Sequence, residues 1–263
     1  MTSVPFAATA ASEWTKLTSL RSTRIVAALS VALALAATTV GAILTGRSWD
    51  SWGTAARADF DPTVYPLIGG IFASILLPIL GVTAVTAEYS TGMIRLTLTA
   101  TPRRGRLLLA KTSVIAAATM LVGLVTVLGM FVIGQVVYGL YGLDAANFGD
   151  GGTLRALLGS IVLAPVFPII AVALATLLRS TAGAITTILV AIFLPSIVGS
   201  LLPDWWRENV VAVLPGPAID TITISHLTDV ESSLPTGVAV LAVAAWLGAF
   251  LGAAQLAFVR RDA

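Results

Sequence analysis

The chain has 263 residues, of which 57% are hydrophobic and 11% charged, with a formal net charge of +2 and a mean hydropathy of +0.96. A soluble domain carries about 25% charged residues, so this composition excludes a water-exposed globular fold and predicts an all-α integral membrane protein. The absence of cysteine excludes disulfides and thiolate metal sites.

The first predicted element is a short amphipathic helix over residues 11–24, with the sequence ASEWTKLTSLRSTR. It is too short and too polar to cross a membrane. As a helix it places Trp14, Leu17 and Leu20 on one stripe, with Lys16 and Arg21 largely outside that stripe. This pattern is typical of a helix lying in the membrane interface, and a frayed basic tail is the alternative.

Six apolar segments are long enough to cross a hydrocarbon core of about 30 Å, which needs about 20 residues. We expect each to be helical, because a lone membrane span must satisfy its own backbone hydrogen bonds. Prolines inside the second, fourth and fifth segments predict kinks. The predicted spans are Ile25–Leu44, Tyr65–Ala87, Thr112–Tyr138, Leu157–Leu178, Ala182–Leu202 and Gly237–Val259.

The segment Glu88–Lys111, EYSTGMIRLTLTATPRRGRLLLAK, is the most basic stretch of the chain and lies between the second and third spans. Its first part predicts a short helix that begins near Met93 and ends before Pro102, with apolar side chains that suit a groove on a partner. Its second part, Arg103–Lys111, is typical of a membrane-surface anchor that binds anionic lipid headgroups.

The positive-inside rule predicts that both termini are cytoplasmic. With six spans, 11 of the 15 Lys and Arg residues fall on the side of the termini and the 88–111 segment. The four cations on the other side are Arg47, Arg57, Arg155 and Arg207.

Polar residues inside the spans are few, and none is a charged residue near the middle of a span. An ion-coupled transporter usually carries such residues, so the sequence argues against ion coupling. Gln135 and Gln255 are the candidates for a transport pathway, although a glutamine in a membrane helix more often forms a hydrogen bond between helices. No catalytic constellation and no metal site are expected.

The outer segment 203–235 precedes the last span and begins PDWWRENVVAVLPGP. Asp204 is a suitable N-cap, so we expect a short helix over Trp205–Leu214 that the Pro215-Gly216-Pro217 sequence ends. The segment acts either as an outer lid over a pathway or as an interface anchor without a gating role.

Taken together, the whole chain resembles a permease of the ABC-2 type, the transmembrane subunit of an ATP-binding cassette transporter with a fold like that of type V exporters. The resemblance rests on the basic N-terminal segment, the six spans and, above all, one motif. That motif reads E-Y-S-x-G-x-I-R…T-P-x-R and comprises Glu88, Tyr89, Ser90, Gly92, Ile94, Arg95, Thr101, Pro102 and Arg104.

The resemblance implies a single transmembrane domain, residues 1–263, in the plasma membrane. A coupling hairpin, residues 88–102, would dock on a separate ATPase subunit. The expected docking residues are Glu88, Tyr89, Ser90, Gly92, Met93, Ile94, Arg95, Leu96, Thr101 and Pro102. The interfacial helix, whose characteristic residues are Trp14, Lys16, Leu17, Leu20 and Arg21, would also lie near the ATPase.

The same resemblance implies that two permeases, either a homodimer or two different chains, assemble with two ATPases. ATP and Mg²⁺ would bind to the ATPase and not to this chain, which would bind no cofactor of its own and no nucleic acid. Export is the expected direction, and an uncharged path favours a drug, peptide or lipid as substrate.

Two further functions fit the sequence. The chain could be a facilitator or channel that works without ATP, or a membrane scaffold or sensor that binds an ATPase and transports nothing. Flux through the isolated chain separates the first from an ATP-driven permease, and transport in the presence of the ATPase separates the second.

Overall fold

The computed structural model describes residues 5–93, 103–150, 152–199, 201–224 and 234–260, and these ranges contain helices and no strand. A 3₁₀ turn, Trp49–Ser51, follows the first long helix, and a π-helical turn, Arg207–Val211, follows a short outer one. The α-helices are α1 (Phe6–Ser19), α2 (Arg21–Ser48), α3 (Thr54–Ala58), α4 (Val64–Leu67), α5 (Gly70–Ser90), α6 (Arg104–Leu140), α7 (Thr153–Leu163), α8 (Val166–Leu178), α9 (Thr181–Gly199), α10 (Asp204–Trp206), α11 (Pro215–Thr223) and α12 (Thr236–Arg260).

The six predicted spans are confirmed, and the protein is an all-α membrane protein. The helical segments long and apolar enough to cross a membrane are Arg21–Ser51, Val64–Ser90, Arg104–Leu140, Thr153–Leu178, Thr181–Gly199 and Thr236–Arg260. Their outer faces carry large apolar side chains such as Leu121, Val125 and Val136, which are more than half exposed. Such faces suit contact with lipid, where no water competes for backbone hydrogen bonds.

The fourth span is broken rather than kinked. Helix α7 ends at Leu163, and α8 begins at Val166 after Ala164 and Pro165. Proline has no amide hydrogen to donate and fixes φ near −65°, so it is accommodated at the start of a helix better than in its interior. Ala164 and Pro165 keep right-handed helical torsions, so the interruption is confined to these two residues.

Helix α8 forms the centre of the bundle. All residues from Ile170 to Thr176 are buried, and α5 is its most extensive neighbour, followed by α12. At the contact with α5, Gly81 lies directly against the Pro168 carbonyl oxygen, in space that a Cβ atom would fill. Small residues allow such close approach between membrane helices, where packing replaces the hydrophobic effect.

The N-terminal helix differs from the prediction. Helix α1 covers Phe6–Ser19, and Leu20 has an extended backbone that separates α1 from α2, so residues 11–24 are not one helix. The Arg24 side chain donates hydrogen bonds to the carbonyls of Thr18 and Ser19, which are free at the end of α1.

The face of α1 that packs against the bundle also differs. Thr9, Glu13 and Leu17 are buried, whereas Trp14 and Leu20 are exposed. The predicted stripe of Trp14, Leu17 and Leu20 is therefore wrong in its position, because the helix turns Glu13 inward to meet Lys111 on α6. Trp14 and Arg21 keep exposed positions in which they can contact lipid.

The outer segment contains more structure than the single predicted helix. Only Asp204–Trp206 and the π-turn Arg207–Val211 lie where that helix was expected, and Pro215 begins α11 instead of ending a helix. A proline in the first turn costs no backbone hydrogen bond and sets a helical φ. Helix α11 packs against α12, α7 and α9, so part of the 203–235 segment belongs to the bundle.

Cations that the prediction assigned to one side of the membrane converge at one end of the bundle. Lys16 and Lys111 bind the same two carboxylates, Arg104 donates to the Phe258 carbonyl, and Arg179 stacks on Tyr89. This agrees with the alternating directions of six spans. That this end faces the cytoplasm follows from the positive-inside rule alone and stays a prediction.

The close contact at Gly81 leads to a stability prediction. Gly81→Ala should lower the free energy of unfolding by about 1–3 kcal/mol, because the added methyl group meets the backbone of α8, which cannot move aside as a flexible side chain can. Thermal unfolding of the purified chain in detergent measures this change. Gly41→Ala, on the exposed face of α2 with open space around it, is the matched control. Equal unfolding temperatures for both variants would contradict the contact.

Candidate functional site

Four charged side chains from three helices form one cluster, which we call the ion cluster: Glu13 and Lys16 from α1, Glu88 from α5 and Lys111 from α6. Lys111 Nζ lies 2.6 Å from Glu13 Oε2 and 2.7 Å from Glu88 Oε1. Lys16 Nζ lies 2.7 Å from Glu13 Oε1 and 2.9 Å from Glu88 Oε1. Each lysine therefore bridges both carboxylates, and the cluster is electrically neutral.

The ion cluster is largely removed from solvent. Glu13, Glu88 and Lys111 expose only 5–6% of their surfaces, whereas Lys16 is half-buried at the edge. Lys111 donates to Glu13, to Glu88 and to the Ala84 carbonyl, so all three hydrogens of its ammonium have an acceptor. A buried charge without partners costs several kcal/mol, so each of these groups depends on the others.

The environment of Lys16 raises its pKa. Burial alone disfavours the charged form, but the hydrogen bonds to Glu13 and Glu88, together with their negative charges, outweigh it and raise the pKa of Lys16 above its usual value of 10.5. Lys16 therefore stays positively charged at physiological pH, where it pairs with Glu88 of α5.

Lys111 does not have the role that the sequence suggested. Its place at the end of a basic run predicted a membrane-surface anchor, but its side chain points into the protein because α1 and α5 supply two carboxylates there. Arg104 is also partly buried and donates to the Phe258 carbonyl of α12 at 3.1 Å. The available signal in the sequence was the pair of acids, Glu13 and Glu88, on the predicted basic side.

The predicted docking residues divide into groups with different surroundings. The Glu88 carboxylate is turned inward to the ion cluster, and the Tyr89 ring lies 5.1 Å from the Arg179 guanidinium. Ser90 is exposed in the last turn of α5, and Gly92 follows it with a φ of +70°, a conformation that suits glycine at the end of a helix. Met93 is 44% exposed. Ile94, Arg95, Leu96, Thr101 and Pro102 lie outside the described residues.

A cavity of about 530 Å³ lies between α5, α6, α7, α8, α9 and α11. Its wall is mostly apolar, with hydroxyl groups from Ser74, Thr126, Ser160, Ser196 and Thr223. Volumes of this size are typical of sites for small organic molecules.

Neither predicted pathway glutamine lines this cavity. The Gln135 amide donates to the Pro62 carbonyl at 2.7 Å and accepts from the Ala146 amide at 2.8 Å, so it joins two outer loops. The Gln255 amide lies against the backbone of Gly105, near the opposite end of the bundle. Gln135 therefore bonds to loops rather than between helices, and a pathway role for either glutamine stays a prediction.

The carboxylate of Asp220, on α11, does line the cavity. Burial raises the pKa of Asp220 to about 6, although water can still reach the carboxylate from within the cavity. Asp220 was not predicted from the sequence, because the Pro215-Gly216-Pro217 sequence was interpreted as the end of a helix. In the structure it is the start of α11, which ends at Thr223.

The ion cluster predicts how the free energy of unfolding changes when one of its charges is removed. Lys111→Met should lower the free energy of unfolding by about 3–5 kcal/mol, because two carboxylates then remain buried with less compensation. Adding Glu88→Gln should recover part of the loss by removing one of these charges. Thermal unfolding in detergent measures both effects, and Arg103→Met, at an exposed position, is the control. A Lys111→Met protein as stable as the control would contradict the assigned role.

The raised pKa of Lys16 predicts a dependence on alkaline pH. The charged lysine stabilises the folded state fully below the unfolded-state pKa of about 10.5, and this contribution disappears as the pH rises through the higher folded-state pKa. The difference in unfolding temperature between wild type and Lys16→Met should therefore be constant near neutral pH and shrink above pH of about 10.5. A difference that stays constant or grows there would contradict the sign.

Comparison with known proteins agrees with this architecture. None of the curated proteins compared with the chain matches it. The family described as "ABC-2 family transporter protein" matches residues 11–197, more than two thirds of the chain, from the N-terminal helix into the fifth span. The matched region includes the whole ion cluster and the predicted coupling hairpin, residues 88–102, which we call the coupling segment. Members of this family are transmembrane components that partner with an ABC ATPase subunit, and the chain is a multi-pass permease of the plasma membrane that belongs to the ABC-2 transporter family.

Proposed function

We propose that this permease exports an amphiphilic or hydrophobic substrate and is driven by a separate ATPase that docks on the 88–102 segment. ATP and Mg²⁺ bind to the ATPase subunits in this proposal, and two permease copies form the transmembrane part. The observation that carries the proposal is the ion cluster at the two ends of the coupling segment.

The position of the ion cluster suits the transmission of a movement. The coupling segment leaves α5 just after Glu88 and enters α6 shortly before Lys111. These two residues form an ion pair, so α5 and α6, the helices that the segment joins, are linked to each other. Lys111 is seven residues into α6, or about 10 Å along its axis, so a push on the segment acts on two spans together.

The N-terminal helix is part of the same linked unit. Glu13 and Lys16 join α1 to Lys111 and Glu88, and α1 packs along α6. An ATPase that contacts α1, the coupling segment or both would therefore move α1, α5 and α6 as one body. This supports a role for α1 in coupling beyond anchoring the chain in the interface.

The exposed apolar side chain of Met93 supports docking at the start of the segment. It follows the Gly92 turn after the end of α5, and part of its side chain is exposed. An apolar side chain that water surrounds gains free energy when a partner covers it. The cavity between the spans, with its mostly apolar wall, supports a substrate with a hydrophobic part.

The experiment uses the permease reconstituted in nanodiscs with its ATPase, and it separates docking from transmission. Replacing Met93, Ile94 and Leu96 together with Asp should abolish co-purification, because charges cannot enter an apolar groove without a partner. Lys16→Met should leave co-purification intact and reduce the coupled ATPase rate severalfold, because α1 loses its bond to Glu88. Gly149→Asp, in an exposed outer loop, is the control for added charge.

Other outcomes would contradict the proposal in specific ways. Normal co-purification and normal coupled ATPase activity of the triple variant would exclude docking at residues 93–96. ATP-independent flux through the permease alone would favour a facilitator. An ATPase complex that forms and hydrolyses ATP but transports no amphiphilic compound across liposomes would favour a scaffold or sensor.

A further inference from the structure

The cavity between the spans contains one acidic group on α11. Asp220 is the charged residue among the described residues that line it, and no lysine or arginine lies in the described wall. Its carboxylate forms no hydrogen bond or ion pair with a described side chain, whereas the neighbouring Ala218 and Thr221 are buried against the bundle. The helix therefore presents a negative charge to a mostly apolar cavity.

Four of the five hydroxyl groups in the described wall, all except that of Ser196, offer acceptors and not donors. Thr126 donates to the Val122 carbonyl at 2.7 Å, Ser160 to Ala156 at 2.8 Å, and Thr223 to Ile219 at 2.9 Å. Ser74 likewise donates to the Ile71 carbonyl at 2.8 Å. A hydroxyl whose hydrogen is bonded to its own helix has only oxygen lone pairs left for a ligand. The polar part of the cavity is thus suited to a donor or a cation.

The volume of the cavity and its opening suit the binding of a small molecule. About 530 Å³ accommodates a small organic compound with a hydrocarbon body. Ile68 and Ile71 belong to the wall and are also strongly exposed, which indicates that the cavity is open on their side of α5. An ionised carboxylate in such surroundings is stabilised most by an opposite charge placed next to it.

We propose that this cavity binds an amphiphilic cation, with the positive group beside the Asp220 carboxylate and the hydrocarbon part against the apolar wall. The inference rests on the proposed function, since it names the chemical class of the exported substrate. It also holds for binding alone, which requires neither the ATPase nor ATP.

The test measures binding of tetraphenylphosphonium to the purified permease in nanodiscs of zwitterionic lipid, by equilibrium dialysis against empty nanodiscs. Asp220→Asn keeps the shape of the side chain and removes its charge. It should weaken tetraphenylphosphonium binding by about tenfold or more, because a charged contact of this kind contributes about 1.5–3 kcal/mol. Asp144→Asn, an exposed acid outside the cavity, should bind as wild type does.

Two further arms test charge and location separately. Tetraphenylborate has nearly the same shape and the opposite charge, so wild type should bind it much more weakly than the phosphonium. Ser196→Phe fills part of the cavity with Asp220 intact and should reduce phosphonium binding. This variant also keeps the test decisive if Asp220→Asn fails to fold, which its thermal unfolding would reveal.

Specific results would overturn the inference. Unchanged phosphonium binding in folded Asp220→Asn, or equal binding of the phosphonium and the borate by wild type, would exclude charge recognition by Asp220. Unchanged binding in both Asp220→Asn and Ser196→Phe would exclude the cavity. Normal binding by a permease that shows no ATP-driven transport would contradict the proposed function and leave the cation site standing.

Discussion

The neutral ion cluster at one end of the bundle is the constraint on which the arrangement of α1, α5 and α6 depends. Two carboxylates and two ammonium groups tolerate burial only while all four are together, since any one left alone would carry an uncompensated charge. An apolar contact would allow these helices to slide. The ion pairs of Lys111 with Glu13 and Glu88 instead define one register for the three helices.

The centre of the bundle is stabilised by a different kind of contact. Helix α8 is buried on all sides, and its Ala171, Ala173 and Ala175 allow neighbouring backbones to approach closely. Polar side chains in the spans mostly bond to their own backbone, as Thr119 does with Ile115 and Thr176 with Val172. Directional bonds between helices are thus concentrated at the ends, and shape complementarity operates in the middle.

The spans, their number and their approximate bounds could be predicted from the sequence, because hydropathy and length determine them almost without reference to neighbours. The contacts within the ion cluster could not be predicted from hydropathy and length. Glu13 and Glu88 fell on the predicted basic side, but no local pattern indicates that Lys111 reaches both, since contacts 98 and 23 residues apart depend on tertiary packing. The face of α1 was mispredicted for the same reason, because polarity was read as exposure.

The single residue between α1 and α2 has a mechanical consequence. Leu20 alone joins two helices and spans only about 3.4 Å, with Arg24 fastening the end of α1 to the start of the first span. A one-residue connection of this kind does not let the two helices move independently. A tilt of α1 therefore requires either a change in the two backbone torsions of Leu20 or a rotation of the first span. Through this junction, movement of α1 at the membrane surface is transmitted to α2 within the membrane.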